Sequence, residues 1–307
     1  MKNYVIKIGL FAVMLFIIIN CGVSKKSKTT TVVNKPISTE NKEVYIPKTK
    51  AQKKPFLEDS NAENRWTDSI YSKMTLDEKL GQLFFVNAYS NKDSVHVNKV
   101  KELVSKYNVG GIIFFQGGPV RQARLTNEYQ AKAKVPLFIG LDAEWGLSMR
   151  LDSTYAYPWN MTLGAIQDLA LIEKVGRNMG SECRRMGIHF NFAPVLDINT
   201  NPLNPIIGNR SFGESKTNVA NKAAALMRGI QSQGVLCTGK HFPGHGDTAV
   251  DSHKTLPTVT LTKERINEVE LYPYKQLFDE GLASVMVAHL NIPSLESGEN
   301  IPSSASY

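Results

Sequence analysis

Residues 240–253 read K-H-F-P-G-H-G-D-T-A-V-D-S-H and form the densest group of reactive side chains in the sequence, with three histidines, two aspartates and a lysine. Three chemistries compete for them. His241 and His245 have the i, i+4 spacing of a zinc pair on a helix. However, Pro243 and Gly244 lie between them and oppose a helix, and Phe242 stands where a metalloprotease would carry its glutamate base. No metal and no other cofactor is therefore expected. A loop stitched only by hydrogen bonds is the second reading. The third, which the residues favour, is a sugar site. In it Lys240 and His241 hydrogen-bond hydroxyls at the floor of a pocket, and Asp251 and His253 form a dyad on a mobile loop. Positions i and i+2 of an extended segment share a face, so both dyad side chains reach the same side. A carboxylate orients a neighbouring imidazole and stabilises its cation. Such a histidine can give a proton to a leaving oxygen and later take one from water.

The elements that must position these groups alternate in type. Short apolar runs occupy residues 82–86, 111–115, 137–141, 189–195, 235–238 and 283–288, with amphipathic stretches at 95–107, 121–134, 168–186, 216–233 and 263–280. Continuously apolar strands alternating with helices predict a parallel sheet covered on both faces. Six such units predict an α/β fold of the TIM type, a (β/α)8 barrel with about six of its eight strands in this chain. A doubly wound open sheet is the rival, and it would be favoured by a glycine-rich turn after the first strand, which is missing here. The strand exits support the barrel. Asp142 and Glu144 follow the third run, Asp197 the fourth, residues 240–247 the fifth and His289 the sixth. In such barrels the active site collects at the C-terminal ends of the strands.

Charge narrows the partners. The 307-residue chain has a net charge of +8, but residues 1–60 hold 11 lysines, no arginine and 4 acids, so +7 belongs to them and +1 to the rest. A near-neutral body argues against a basic groove for nucleic acid. The N-terminus accounts for the excess: Lys2 and Lys7 precede an apolar run at 8–19, which ends at Asn20-Cys21-Gly22. The run is shorter than the ~20 residues of a membrane-spanning helix. A positive start, a short apolar stretch and a processing site predict a secretory signal, and a cysteine directly after the run resembles a bacterial lipoprotein signal. Residues 1–21 are thus read as the signal and Cys21 as the lipidated residue. Asn20 departs from the small residue usual before that cysteine; an ordinary cleaved signal and an uncleaved anchor are the other readings. Residues 22–60, rich in Lys, Thr, Ser, Asn and Pro, are read as a flexible tether. The expected location is the cell envelope, on a membrane through the lipid and outside the cytoplasm. Cys183 and Cys237 are expected to be free and buried.

Several separated motifs in order carry a resemblance: M-T-L-D-E-K-L-G-Q-L-F at 74–84, A-P-V-L-D-I at 193–198, N-R-S-F-G at 209–213, and K-H-F-P-G-H-G-D followed by D-x-H. Together they resemble glycoside hydrolase family 3, in its β-N-acetylglucosaminidase (β-hexosaminidase) branch, over residues 74–307. The resemblance implies a barrel that removes terminal β-linked N-acetylglucosamine, from peptidoglycan fragments or related glycans, with retention. It implies that His253 is the acid/base, that Asp251 is its partner, and that Asp142, Arg150, Arg210, Lys240 and His241 hold the terminal sugar. Asp142 and Arg150 match the family's D-x-E-G-G-x-x-x-R run, except that Trp145 replaces the first paired glycine. Asp142 could instead cap a helix, and Arg210 could form a surface salt bridge. Most retaining glycosidases use two carboxyl groups about 5–5.5 Å apart; here an imidazole would replace one. Neutral imidazole adds no like-charge repulsion, and its reference pKa of about 6.5 suits proton transfer.

The resemblance also implies a nucleophilic aspartate in a segment like G-F-x-G-x-x-x-[ST]-D, after the P-S-S-x-S stretch matched at 302–306. The sequence stops at Tyr307, so a truncated product is expected, open at the barrel edge and without turnover. Two other functions compete. A β-glucosidase of the same family would not need the Asp251–His253 pair, and a lipid-anchored sugar-binding protein would not catalyse.

Overall fold

The computed structural model describes residues 61–296. The assignments at 1–60, including Cys21, and the 302–306 stretch lie outside the described residues. The chain divides into two units, Met1–Lys48 and Thr49–Tyr307, and the described residues belong to the second.

Short polar side chains start the helices. After α1 (Asn61–Tyr71), Thr75 caps α2 (Leu76–Gly81) in a reciprocal capping box with Glu78. Asp93 caps α3 (Ser94–Tyr107), and a proline in the first turn opens α4 (Pro119–Gln130). Then come α5 (Asn160–Ala165), α6 (Leu169–Arg185) capped by Asp168, and α7 (Lys216–Gln231) capped by Ser215. Such side chains satisfy backbone N–H groups that have no partner within the helix. The amphipathic stretch at 263–280 is three pieces rather than one helix. Thr262 caps α8 (Lys263–Arg265), a π-turn follows at Ile266–Glu270, and α9 runs from Tyr272 to Asp279. Pro273 lies at the start of α9, where its missing N–H costs least.

Six strands form one sheet: β1 (Phe85–Tyr89), β2 (Gly111–Gln116), β3 (Phe138–Leu141), β4 (Phe190–Asn191), β5 (Leu236–Phe242) and β6 (Ser284–Val287). Their spatial order is the order of the sequence, and every pairing is parallel. A doubly wound sheet reverses its strand order at a switch point; this one never reverses, which is how a barrel winds. Among the described residues the barrel is not closed. The first strand begins later than its apolar run suggests, because Leu83 and Phe84 donate their amides back to Leu80 and Gly81 of α2. The run at 189–195 pairs regularly only at Phe190 and Asn191, then resumes as a single bridge between Val195 and Lys240.

The outer wall is closest-packed where α6 meets α7. A Cβ on Gly176 would lie 2.3 Å from the Leu226 carbonyl oxygen, and one on Gly229 would lie 2.1 Å from that of Glu173. Glycines at facing positions let the two backbones touch. Val219, Ala223, Leu226, Met227 and Ile230 of α7 are fully buried and fix the helix against the sheet. Cys183 and Cys237 are free and buried, and burial pushes both thiols upward in pKa, that of Cys183 to about 12. Both are therefore inert packing groups.

Candidate active site

Carboxylates leaving the buried strands need partners, since an unpaired ionised group in the interior is costly. Asp142 and Glu144 leave β3, and Lys240, on β5, answers both: its Nζ lies 2.9 Å from Asp142 Oδ1 and 2.6 Å from Glu144 Oε1. All three are buried, with Glu144 0% and Lys240 2% exposed. Arg150 reaches back with Nη2 2.5 Å from Asp142 Oδ2, and its guanidinium lies 5.0 Å from the centre of the Phe115 ring. Arg210 donates to both oxygens of Glu144, at 2.9 Å from Nε and 2.8 Å from Nη2. That two-point grip is the geometry a guanidinium offers a carboxylate. Asp142 is therefore no helix cap, and Arg210 forms no surface pair.

The charge balance sets the ionisation. Burial alone would raise the carboxyl of Glu144, but Lys240 and Arg210 outweigh it and bring it down to about 2. Burial likewise opposes, and Lys240 and Arg150 overcome, the ionisation of Asp142, which sits below its ordinary value. Arg210, despite its burial, is held above its ordinary pKa by Glu144.

His241 reaches this cluster through an irregularity. Consecutive strand residues face opposite sides, so Lys240 and His241 could not both face a pocket from a regular strand. The β5–β6 register shifts between Lys240 and Phe242, which leaves His241 as the extra residue of a bulge. Its Nδ1 lies 2.6 Å from Asp197 Oδ2, and its Nε2 lies 3.2 Å from Arg210 Nη2. Arginine can only donate. The Nε2 of His241 therefore accepts, and Nδ1 carries its proton toward Asp197. Asp197 is fully buried and also accepts from the His241 amide at 3.2 Å and the His245 amide at 2.7 Å. Burial opposes its ionisation, but His241 outweighs it, so its pKa is lowered.

Asp251 and His253 do pair, but across a turn at 252–254 rather than along an extended segment: the amides of Lys254 and Thr255 donate back to the Asp251 carbonyl. His253 Nδ1 lies 2.8 Å from Asp251 Oδ1, and the His253 amide donates to the same oxygen at 2.9 Å. These bonds lower the Asp251 pKa. The His253 side chain is 76% exposed and lines a shallow cleft of about 390 Å³ with Ser252, Lys254, Thr255, Leu256 and His289. The dyad's tie to the buried cluster runs through its middle residue. Ser252 Oγ lies 2.8 Å from Nε2 of His245, whose Nδ1 lies 2.7 Å from Thr248 Oγ1. Burial lowers the pKa of His245 more than Asp197 raises it. Both ring nitrogens of His245 are thus engaged by hydroxyls, and Nδ1 of His241 by a carboxylate. Among the described residues no group of three His, Cys, Asp or Glu is arranged to hold a metal ion.

The structure therefore brings Asp142, Arg150, Arg210, Lys240 and His241 into one contiguous network. Asp251 and His253 pair on a neighbouring loop. Glu144, Asp197 and His245 belong to the network too, although the sequence reading assigned them no role. A larger cleft of about 730 Å³ lies at the N-terminal end of β1, is mostly apolar, and holds none of these groups; Leu80, Phe84, Phe85 and Tyr107 are among its lining residues. Chemistry, rather than volume, marks the site.

Parallel α/β-barrel architecture with ionisable side chains gathered at the strand exits defines a class of enzymes whose sites lie there. Within it the chain belongs to glycosyl hydrolase family 3, because its residues 75–307 match the family's "Glycosyl hydrolase family 3 N terminal domain". It is similar to beta-hexosaminidase A of Pseudoalteromonas piscicida, at 37% identity over 219 residues, covering 67% of this chain and 37% of the relative. A beta-N-acetylglucosaminidase/beta-glucosidase of Cellulomonas fimi is 31% identical over 229 residues, covering 75% of this chain and 40% of the relative. The structure of a glycoside hydrolase family 3 beta-N-acetylglucosaminidase from Paenibacillus sp. str. FPU-7 superposes with a TM-score of 0.68 at 40% identity, covering 74% of this chain and 44% of that one. The chain thus spans less than half the length of these relatives.

Proposed function

We propose that this chain carries the sugar-binding and proton-transfer groups of a retaining β-N-acetylglucosaminidase that acts on peptidoglycan fragments or related glycans. The observation that carries the reading is the buried Asp142–Lys240–Glu144–Arg210 cluster at the strand exits, with the Asp251–His253 pair on the loop that follows. Anionic oxygens beside fixed cations match the mixed donor and acceptor surface of sugar hydroxyls. An imidazole oriented by a carboxylate suits protonation of a glycosidic oxygen. In this reading Asp142, Arg150, Arg210, Lys240 and His241 hold the terminal sugar. His253 protonates the leaving oxygen and then takes a proton from the incoming water. The family resemblance implies a carboxylate nucleophile as the partner of His253 in this chemistry. The names of the Pseudoalteromonas and Paenibacillus relatives support N-acetylglucosamine as the sugar. The double name of the Cellulomonas relative keeps β-glucosides as the alternative.

Hydrolysis followed by proton NMR tests the stereochemistry in the full-length gene product. The first anomer of N-acetylglucosamine released should be β; α-anomer appearing first would overturn the retaining assignment.

The protein's place in the cell is part of the same reading. A lipid on Cys21 would hold it on a bacterial membrane, outside the cytoplasm, where cell-wall glycans are met. Lys2, Lys7 and the apolar run before Cys21 support this. Cys21→Ser should move the protein from the membrane fraction or leave its signal unprocessed. A wild-type protein soluble in the cytoplasm would contradict it.

A further inference from the structure

We infer that Trp145 and Trp159 form a stacking platform for the second sugar of the glycan, the one that leaves when the terminal residue is cut. The inference rests on the sugar-hydrolase reading above and adds a subsite to it. The two indole rings are stacked, with centroids 4.1 Å apart and planes 26° from parallel. Trp159 is 45% exposed and Tyr155, four residues earlier, is 66% exposed. Exposed aromatic surface of this kind offers a face on which a ligand can pack.

Both tryptophans are bonded in the chain to residues that hold the charged cluster. Trp145 directly follows Glu144, which accepts from Arg210 and Lys240. Trp159 directly precedes Asn160, whose buried side-chain amide donates to the Arg210 carbonyl at 2.7 Å. Consecutive Cα atoms lie ~3.8 Å apart, so the backbone of each tryptophan lies next to a residue hydrogen-bonded to Arg210. A third tie joins the segments, since the Tyr157 amide donates to the Trp145 carbonyl at 3.0 Å. Tyr157 is held in turn by its hydroxyl, which donates to Glu182 at 2.8 Å. Gly146 has a φ of +87°, and a Cβ there would lie 2.6 Å from the Tyr157 ring, so the turn after Trp145 is shaped to admit that ring. The platform is thus fixed to the site before any ligand arrives, which limits the ordering lost on binding.

A pyranose ring matches such a surface. One face presents C–H groups that pack on an aromatic ring, while its hydroxyls stay in water at the edge. A charged peptide would gain less, because the carboxylates among Asp142, Glu144 and Asp152 are already paired with cations. The terminal sugar occupies the charged cluster, so the ring beyond the scissile bond is the one left to stack.

Kinetics of the full-length gene product test this with two substrates, methyl β-N-acetylglucosaminide and N,N′-diacetylchitobiose. Trp159→Ala should raise KM for the disaccharide about tenfold more than for the methyl glycoside, and Trp159→Phe should recover most of that difference. A packing defect would harm both substrates alike and lower the melting temperature of both variants. Equal changes on the two substrates, or none on either, would overturn the platform while leaving the hydrolase reading intact. Failure of the wild-type protein to cut either substrate would overturn both. Discrimination by Trp159 only on substrates bearing a peptide, with none on the disaccharide, would replace the sugar platform with a peptide site and so contradict the proposal.

Discussion

Lys240 is the residue on which the buried charge balance depends, because two carboxylates share its buried ammonium group. Glu144 falls from an ordinary 4.5 to about 2, with burial opposing its ionisation and the Lys240 and Arg210 charges driving it. A carboxyl whose folded pKa is depressed gives stability that is present above its unfolded pKa and lost as pH falls toward the folded one. The stability should therefore decline between pH 4.5 and 2, by up to ~1.4 kcal/mol per pH unit for each such group. Glu144→Gln should show a shallower acid dependence in denaturant melts at stepped pH, together with lower stability at neutral pH. An unchanged slope would contradict the assignment. His253 belongs to the chemistry instead. His253→Ala in the full-length gene product should lose roughly 10²–10⁴-fold in activity, and more on a disaccharide than on a p-nitrophenyl glycoside, since a nitrophenolate leaves without a proton. Asp251→Ala should follow more weakly. Equal losses on both substrates would make His253 a positioning group. At this scale the sequence is informative where spacing is short: the i, i+2 pairing of Asp251 with His253 is legible there, whereas Asp142 and Arg150 stand out only through the family resemblance, and their mutual ion pair is a finding of the structure. Glu144 was visible as a strand-exit carboxylate, but its partner Arg210 lies 66 positions away, and no local pattern encodes that contact. Asp197 was visible in the same way, while its grip on His241 depends on a bulge that periodicity does not reveal.

Among the elements, the longer helices and most strands fall where amphipathic stretches alternate with apolar runs, whereas α1, α2 and α5 have no counterpart in that alternation. The departures have local causes. Leu83 and Phe84 are apolar but bond back to α2, and Pro273 divides a stretch that otherwise reads as one helix. The bulge in β5 is the most consequential of these features, since it turns Lys240 and His241 toward a common network. The α6–α7 contact was not legible at all. Gly176 and Gly229 look like weak points in their helices by propensity, yet they are where the backbones meet. Gly229→Ala should therefore destabilise the protein, by about 1–3 kcal/mol, despite alanine's better helix propensity. Thermal or denaturant melts check this, and a stabilised variant would contradict the close approach.

For the molecule as a whole, sequential parallel strand order separates a barrel from a doubly wound sheet, and the alternation of runs in the sequence already pointed there. What the sequence could not supply is how the exits converge, which depends on the twist and register of all the strands together. Convergence places anionic and cationic groups from β3, β5 and the loops after β3, β4 and β5 at one end of the sheet. The proposed selection of an N-acetylated sugar belongs to the assembled site rather than to any one residue. Its most direct test is the ratio of kcat/KM for p-nitrophenyl β-N-acetylglucosaminide to that for p-nitrophenyl β-glucoside, measured on the full-length gene product. A ratio well above one is expected, and a ratio below one would contradict the proposed selection.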